Sequence, residues 1–244
     1  MIGIIGCGWL GLPLVEKLRG QGLNVISTTT TPQKNEILFD ITCGPIPEKI
    51  WQCDTLIYTI PPLGLQEVEN FFKKINKITK IIFISSTSVY GKNQGHVTEK
   101  SPFDSSSKNA LVLREAENYL KKNFSNLSII RPGGLYGQKR HPVYFLAGKL
   151  GITSGDEYLH LVSQKDCLAA LCKIIEFDLI GEDFNLVSNL RIFKKNYYTY
   201  MSKKLNLVAP QFTDLAKTDN PTQISNDKSK KMLSLQYENP FDYI

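Results

Sequence analysis

The sequence holds 244 residues, 42% hydrophobic and 21% charged, with a formal net charge of +6. That length buries one substantial core with a smaller appended lobe, and no apolar run approaches the ~20 residues that a membrane-spanning helix needs. The basic excess is scattered lysine without a long run or a nucleic-acid motif. It reads as solvated surface, and neither nucleic acid nor membrane is expected as a partner.

In chain order the first signal is the strand Met1-Ile2-Gly3-Ile4-Ile5, which runs into Gly6-Cys7-Gly8-Trp9-Leu10-Gly11. A helix follows over Leu12 to Leu18. A strand, a glycine turn and a helix N-terminus in this order suit a dinucleotide pyrophosphate. Gly6 permits the tight turn, Gly8 lets phosphates reach the backbone of Trp9 and Leu10, and Gly11 lets helix and strand pack closely. The helix adds free N–H groups and the positive end of its dipole.

Further strands are predicted over Leu23 to Ser27, Glu36 to Ile41, Asp54 to Ile60, Lys80 to Ser85 and Leu127 to Ile130. Helices are predicted over Leu65 to Lys77 and Ser105 to Lys122. Apolar strands alternating with helices imply a parallel sheet covered on both faces, so the expected fold is a doubly wound α/β sheet of the Rossmann type. After Tyr136 the pattern loosens. A helix over His141 to Gly151, a clear amphipathic helix over Gln164 to Phe177 and a strand over Asp183 to Val187 precede a mixed tail. The expected division is a dinucleotide-binding core over residues 1–137. A small substrate lobe over 138–244 is interleaved with the last strand, in one compact unit.

The five cysteines are Cys7, Cys43, Cys53, Cys167 and Cys172; they are odd in number and lack CxxC spacing. They fit reduced thiols in a cytoplasm better than a disulfide framework or a zinc site. The apolar start lacks a basic leader, and His96 and His160 sit in no ligand pattern, so neither a signal peptide nor a metal is expected.

Two later segments join the glycine turn: Ser85-Ser86-Thr87-Ser88-Val89-Tyr90-Gly91 after one strand, and Arg131-Pro132-Gly133-Gly134-Leu135-Tyr136-Gly137 after another. Together with Asp166, the Phe184-Asn185-Leu186 strand and Ser225-Asn226, they resemble the extended short-chain dehydrogenase/reductase family, in its epimerase and dehydratase branch. The Gly8-Trp9-Leu10-Gly11-Leu12-Pro13 turn and the short length are most similar to its atypical YeeZ-like members.

The resemblance implies an NAD(P)-dependent oxidoreductase or epimerase/dehydratase acting on a small polar metabolite or a nucleotide sugar. Ser86 matches the family serine that orients a substrate oxygen, with Thr87 beside it. The family also places a Tyr-x-x-x-Lys pair at the start of the long helix. Here that stretch reads Asp104-Ser105-Ser106-Ser107-Lys108-Asn109-Ala110-Leu111-Val112-Leu113-Arg114, and the pair is missing. Tyr90, Lys108, Tyr136 and Arg114 are the substitute proton donors the sequence offers, with Tyr90 and Lys108 carried as candidate catalytic residues. The alternative reading is an inactive dinucleotide-binding sensor or scaffold.

For the cofactor, the second strand ends in Ser27-Thr28-Thr29-Thr30-Thr31-Pro32-Gln33-Lys34 with no carboxylate to repel a 2′-phosphate. Hydroxyls of Thr28, Thr29 and Thr30 with the Lys34 charge favour NADP, with NAD as the other possibility. Ile60 and Pro61, ending another strand with Pro62, are placed at the nicotinamide side of the crevice. Arg140, after the Tyr136-Gly137 turn, is placed to meet a substrate diphosphate. A homodimer through the helices 65–77 and 105–122 is expected, with Phe71, Phe72, Leu111 and Leu113 at its interface.

Overall fold

The computed structural model describes residues 1–33, 35–61, 63–104, 107–213 and 219–243. Two compact units emerge. The first takes residues 1–86, 106–131 and 170–184, and the second takes 87–105, 132–169 and 185–244. The break expected at 137 therefore falls inside a segment of the second unit.

The sheet is built from β1 (Ile2–Ile5), β2 (Val25–Thr29), β3 (Ile37–Leu38), β4 (Thr55–Tyr58), β5 (Lys80–Ile84), β7 (Leu127–Pro132) and β10 (Phe184–Leu186), in the order β10-β7-β5-β4-β1-β2-β3. The short β6 (His96–Val97) stands outside it. Every registered pair among β3, β2, β1, β4, β5 and β7 is parallel. All residues of β1 and β7 are buried, as a strand covered on both faces must be. The covering helices are α1 (Gly11–Gly20), the single turn α2 (Glu48–Trp51), α3 (Leu65–Phe72) and α4 (Lys108–Asn123). They bury Leu14, Val15 and Leu18 from α1, Val68, Phe71 and Phe72 from α3, and Leu113, Ala116 and Leu120 from α4. This confirms the doubly wound α/β expectation.

Several element bounds differ from the sequence reading for local reasons. β2 starts two residues late because Gly22, at φ +79°, and Leu23 close α1 instead. Gly22 N donates to Arg19 O and Leu23 N to Leu18 O, which consumes the last helix carbonyls. α3 ends early because Lys74 and Ile75 bond three residues back, tightening its last turn. Phe71, Phe72 and Leu113 are at most 5% exposed within this chain. They belong to the core of this chain.

The second unit carries two short parallel pairs, β8 (Gly134–Tyr136) with β9 (Leu161–Ser163) and β11 (Gln223–Ile224) with β6. Around them lie α5 (Pro142–Leu146), α7 (Lys194–Lys204) and α8 (Asp227–Leu233), while α6 (Gln164–Glu176) follows β9 directly. The glycines Gly148 and Gly151, with φ +69° and +70°, stop α5 well short of the expected 151. The core of this unit joins Tyr136, Val143, Leu159, Leu161, Tyr197, Tyr198 and Met201.

Candidate functional site

In the first unit, β1 leads outward to β2 and β3, and the chain then returns to set β4 on the other side of β1. Such a reversal leaves a crevice beyond the carboxyl ends of the strands, where open parallel sheets take their ligands. The glycine turn stands there.

The turn is closed underneath. Gly6 holds φ +103°, a conformation that favours glycine. Gly6 N and Cys7 N both donate to Thr28 O, at 3.2 and 2.8 Å, and Gly6 N also reaches Thr28 Oγ1 at 3.2 Å. From β4's end, Thr59 Oγ1 donates to Gly6 O at 2.5 Å and approaches Ile5 O at 3.2 Å. A Cβ on Gly11 would stand 2.1 Å from Gly6 O, so the helix meets the turn with no room for a side chain. A Cβ on Gly6 would meet Ile60 Cγ1 at 2.8 Å, which fixes Ile60 against the turn.

Above, the turn is open. A Cβ on Gly8 would meet nothing within 4 Å. Helix α1 begins with no side-chain cap at Leu10 and no carboxylate in its first turn. Its leading N–H groups lack a capping side chain, and the positive end of its dipole is not neutralised. A diphosphate fits this arrangement through backbone alone. Trp9 is half-buried, Leu10 is buried, and Pro61 is exposed.

The threonines part company. Thr28 is 1% exposed. Its hydroxyl accepts from Gly6 N within the turn. Thr29 Oγ1 accepts from Thr31 N at 3.3 Å, and Thr30 is exposed. Lys34 lies outside the described residues. The sequence reading missed Glu36. Its charge acts on Cys7, where burial raises the thiol pKa first and Glu36 adds to the rise, while the Ser27 hydroxyl and Arg19 work the other way. Buried Ser27 Oγ has no nitrogen or oxygen partner among the described residues, and its neighbour is that thiol. A carboxylate therefore does stand within electrostatic range of the turn. It comes from just before β3, nine residues beyond Ser27, which hid it from a search at the end of β2.

Ser86, partly buried, follows β5 at the same sheet edge. The residue before it is anchored from below. Ser85 Oγ donates to Glu117 Oε1 at 2.5 Å. Arg131 clasps the same carboxylate through Nε at 3.0 and 3.2 Å and through Nη2 at 2.6 Å. Both Arg131 and Glu117 are 0% exposed. Asp183 receives Arg131 at 3.2 Å and Lys121 at 2.7 Å, which ties in the sheet's edge. The sequence reading singled out Arg131 but not Glu117, one carboxylate among several on a polar helix.

Lys108 is exposed at the first position of α4, where Ser107 caps the helix by accepting from Ala110 N. In the second unit, Tyr90 is 0% exposed. Its phenol donates to Asn185 Oδ1 at 2.8 Å and its ring meets Phe103 edge-on. That hydrogen bond and full burial place Tyr90 in the core of the second unit. Tyr136 is also buried and donates to Glu238 O at 3.4 Å, and burial pushes its phenol pKa up. Thr87 Oγ1 donates to Pro132 O at 3.4 Å. Arg140 is exposed in a tight turn where Gly137 and Arg140 exchange backbone bonds of 2.8 and 2.9 Å.

The second unit also holds two histidines that burial keeps neutral, each with its pKa lowered to about 4. His141 Nδ1 accepts from Val143 N at 3.1 Å, and its Nε2 meets Tyr197 Oη at 2.9 Å. Tyr197 gives its own proton to Pro240 O, so the histidine proton sits on Nε2. His160 Nε2 accepts from Ile224 N at 3.3 Å. Among the described residues, no three His, Cys, Asp or Glu side chains gather to hold a metal, and no helix is long and apolar enough to cross a membrane.

No family model matches the chain. Protein YeeZ of Escherichia coli strain K12 is 28% identical over 264 residues, covering 98% of this chain and 96% of its own. Among solved structures, UDP-glucuronic acid 4-epimerase from Bacillus cereus, in complex with NAD, superposes with TM-score 0.75 at 18% identity, over 98% of this chain and 92% of the other. A short-chain dehydrogenase/reductase superfamily protein from Agrobacterium tumefaciens with bound NAD gives TM-score 0.77 at 14% identity, over 99% and 94%. The likeness in fold to these structures, and in sequence to YeeZ, runs along nearly the whole chain. The chain is similar to YeeZ along its length and has the fold of the short-chain dehydrogenase/reductase structures it superposes on, and the start of its long helix lacks the Tyr-x-x-x-Lys pair that the resemblance implies.

Proposed function

We propose that the chain binds a nicotinamide dinucleotide at the Gly6–Gly11 turn and acts as an oxidoreductase or epimerase/dehydratase-like enzyme on a small polar metabolite or nucleotide sugar. One observation carries the reading: a turn sealed at Gly6 and Gly11 yet open over Gly8, before an uncapped helix. When bound, the nicotinamide supplies a carrier for hydride. The backbone of the turn holds the diphosphate, and Ser86, on the anchored end of β5, orients a substrate oxygen. With no tyrosine paired to Lys108, the proton comes from another side chain, a water molecule or the substrate.

Between the two cofactors, the threonine-rich end of β2 supports NADP. Glu36, whose carboxylate accepts from Gln33 N at 3.0 Å and whose charge is felt at Cys7, supports NAD, because a carboxylate near the turn opposes a 2′-phosphate. The Lys34 charge adds to the support from the threonines, so NADP stays the first choice and NAD the alternative. The expected homodimer through the helices 65–77 and 105–122 stays part of this reading. Light scattering that returned the mass of a single chain would remove it.

Titration calorimetry with NADH and NADPH tests the core of the proposal. Gly8→Val keeps its melting temperature, since a side chain there meets nothing, yet loses affinity for both cofactors. Unchanged affinity in that variant would place the dinucleotide elsewhere. NADH or NADPH turnover against sugar-nucleotide and carbonyl libraries, repeated with Ser86→Ala, then decides between enzyme and sensor. Loss of turnover with cofactor affinity retained supports the enzyme. Tight binding with no turnover on any compound supports the sensor or scaffold, which the missing Tyr/Lys pair also favours.

A further inference from the structure

Residues 237–243 lie on the second unit without joining any strand, and their one regular element is the short 3-10 turn Pro240–Asp242. The bonds within the segment are local. Phe241 N donates to Asn239 Oδ1 at 3.1 Å, Asp242 N to Asn239 O at 2.9 Å and Tyr243 N to Pro240 O at 3.4 Å. Among the described residues, the rest of the unit holds the backbone of this segment by side chains alone. Asp166 Oδ2 accepts from Glu238 N at 3.0 Å, and Tyr136 Oη donates to Glu238 O at 3.4 Å. Tyr197 Oη donates to Pro240 O at 2.8 Å. Lys204 Nζ donates to Phe241 O at 2.6 Å and to Tyr243 O at 3.4 Å.

The Tyr197 hook is the buried one: Tyr197 is 0% exposed and Pro240 is buried. His141 Nε2 gives its proton to Tyr197 Oη, which leaves the phenol's own proton for Pro240 O. The rings follow the same route. Tyr243 stacks on His141 at 4.6 Å, and Phe241 meets Tyr197 at 5.0 Å. A segment held by side chains and rings, with no strand ladder, can open at less cost than the core beneath it. It also helps to enclose a cavity of about 450 Å³. Tyr136, Ser163 and Lys165 line that space from the body, and Glu238, Asn239 and Asp242 line it from the segment. Lys165 Nζ ties the two together, donating to Glu238 Oε1 at 2.7 Å.

We propose that residues 237–243 are a strap that opens as one unit while the rest of the second unit stays folded, with the Tyr197–Pro240 bond as its main fastening. Closed, the strap completes the cavity. Open, it withdraws the lining that Glu238, Asn239 and Asp242 supply and admits solutes to that space. The strap needs nothing from the dinucleotide, so its fate is separate from that of the proposed function.

The test is amide hydrogen exchange of the full chain, followed residue by residue by NMR at a series of low urea concentrations. The Glu238 amide reports the strap, because its acceptor Asp166 lies on α6. The Leu159 amide, bonded to Ile192 O at 2.9 Å, reports the core of the unit. The amides of Glu238, Asp242 and Tyr243 show one common protection, since a three-residue turn does not persist off its support. That protection is at least about tenfold weaker than at Leu159 and hardly changes with urea, because a small opening exposes little surface. Tyr197→Phe weakens it by about fivefold. Lys204→Ala, at an exposed position that leaves folding intact, weakens it less but in the same direction. The proposal falls if strap exchange climbs with urea as steeply as exchange at Leu159, if protection is graded from Tyr243 back to Glu238 as in simple fraying, or if neither variant changes it.

Discussion

The two units offer ligands different materials. In the first, the candidate site is backbone: N–H groups and glycine hydrogens shaped by Thr28 and Thr59 from neighbouring strands. In the second, a cavity is lined by side chains, Ser188, Arg191, Asp227, Lys230 and the neutral His160 among them. Backbone sites are tied to the fold by sterics, so they persist while the fold persists. Side-chain sites change one residue at a time, and the start of α4 shows the same freedom inside the first unit. There the helix remains although the residues expected to carry chemistry are gone.

That contrast predicts a sharp gradient along α4. Glu117→Ala strips the partner from a fully buried Arg131 and destabilises by ~3–5 kcal/mol. Lys108→Ala, at the exposed start, changes stability by less than about 0.5 kcal/mol. Denaturant melts of both variants check this, and equal losses would break the distinction between the helix's fixed middle and its free start.

The second unit is sharpened by pH. His141 titrates near its ordinary 6.5 when unfolded and at about 4 when folded, because burial disfavours its charged form. The unfolded chain therefore binds the extra proton between those values. Stability is full above about pH 6.5 and declines as pH falls toward about 4, by about 3 kcal/mol for this group alone. His160 adds a loss of the same sign over the same interval. A variant with His141→Gln flattens the slope, and an unchanged slope would show that His141 takes no part in it.

In the backbone site the matching experiment is Gly11→Ala. Its methyl group collides with Gly6 O, so the strand and helix separate at a cost of ~1–3 kcal/mol and dinucleotide affinity is lost with them. Gly8→Val loses affinity alone. If both glycine variants behave alike, the turn is not divided into a sealed and an open side.

The smallest effect concerns cofactor choice. Glu36 is partly exposed, so removing its charge shifts affinity by no more than ~1 kcal/mol. Glu36→Gln raises NADPH affinity severalfold relative to NADH in parallel titrations. A ratio that does not move would take Glu36 out of the selection.

The sequence made the glycine turn legible because a strand, three glycines and a helix start are contiguous and each glycine answers a local steric demand. The doubly wound sheet followed from the alternation of apolar strands with helices. The residues that close the turn were not legible in their roles. Thr28 read as a ligand residue because its position after the turn is the same whether its hydroxyl faces the solvent or the turn, and only burial tells the two apart. Thr59 and Glu36 act across the sheet, and no spacing rule connects them to Gly6 or Cys7. Glu117 was hidden because a buried carboxylate and a solvated one look identical on a helix until the partner strand is in place. The Ser188 cavity is assembled from separate stretches of chain, none of which carries a motif.

The turn's closure also sets an order of events during folding. Its two clamping hydroxyls come from residues 22 and 53 positions further along the chain. Met1 to Gly11 cannot hold this shape alone, and loop-closing entropy delays it until β2 and then β4 have docked beside β1. On the ribosome the N-terminal segment is made first, yet it reaches its native form only after the Thr59 region has emerged. Until then, its run of apolar residues and an unpaired strand edge are exposed to other chains.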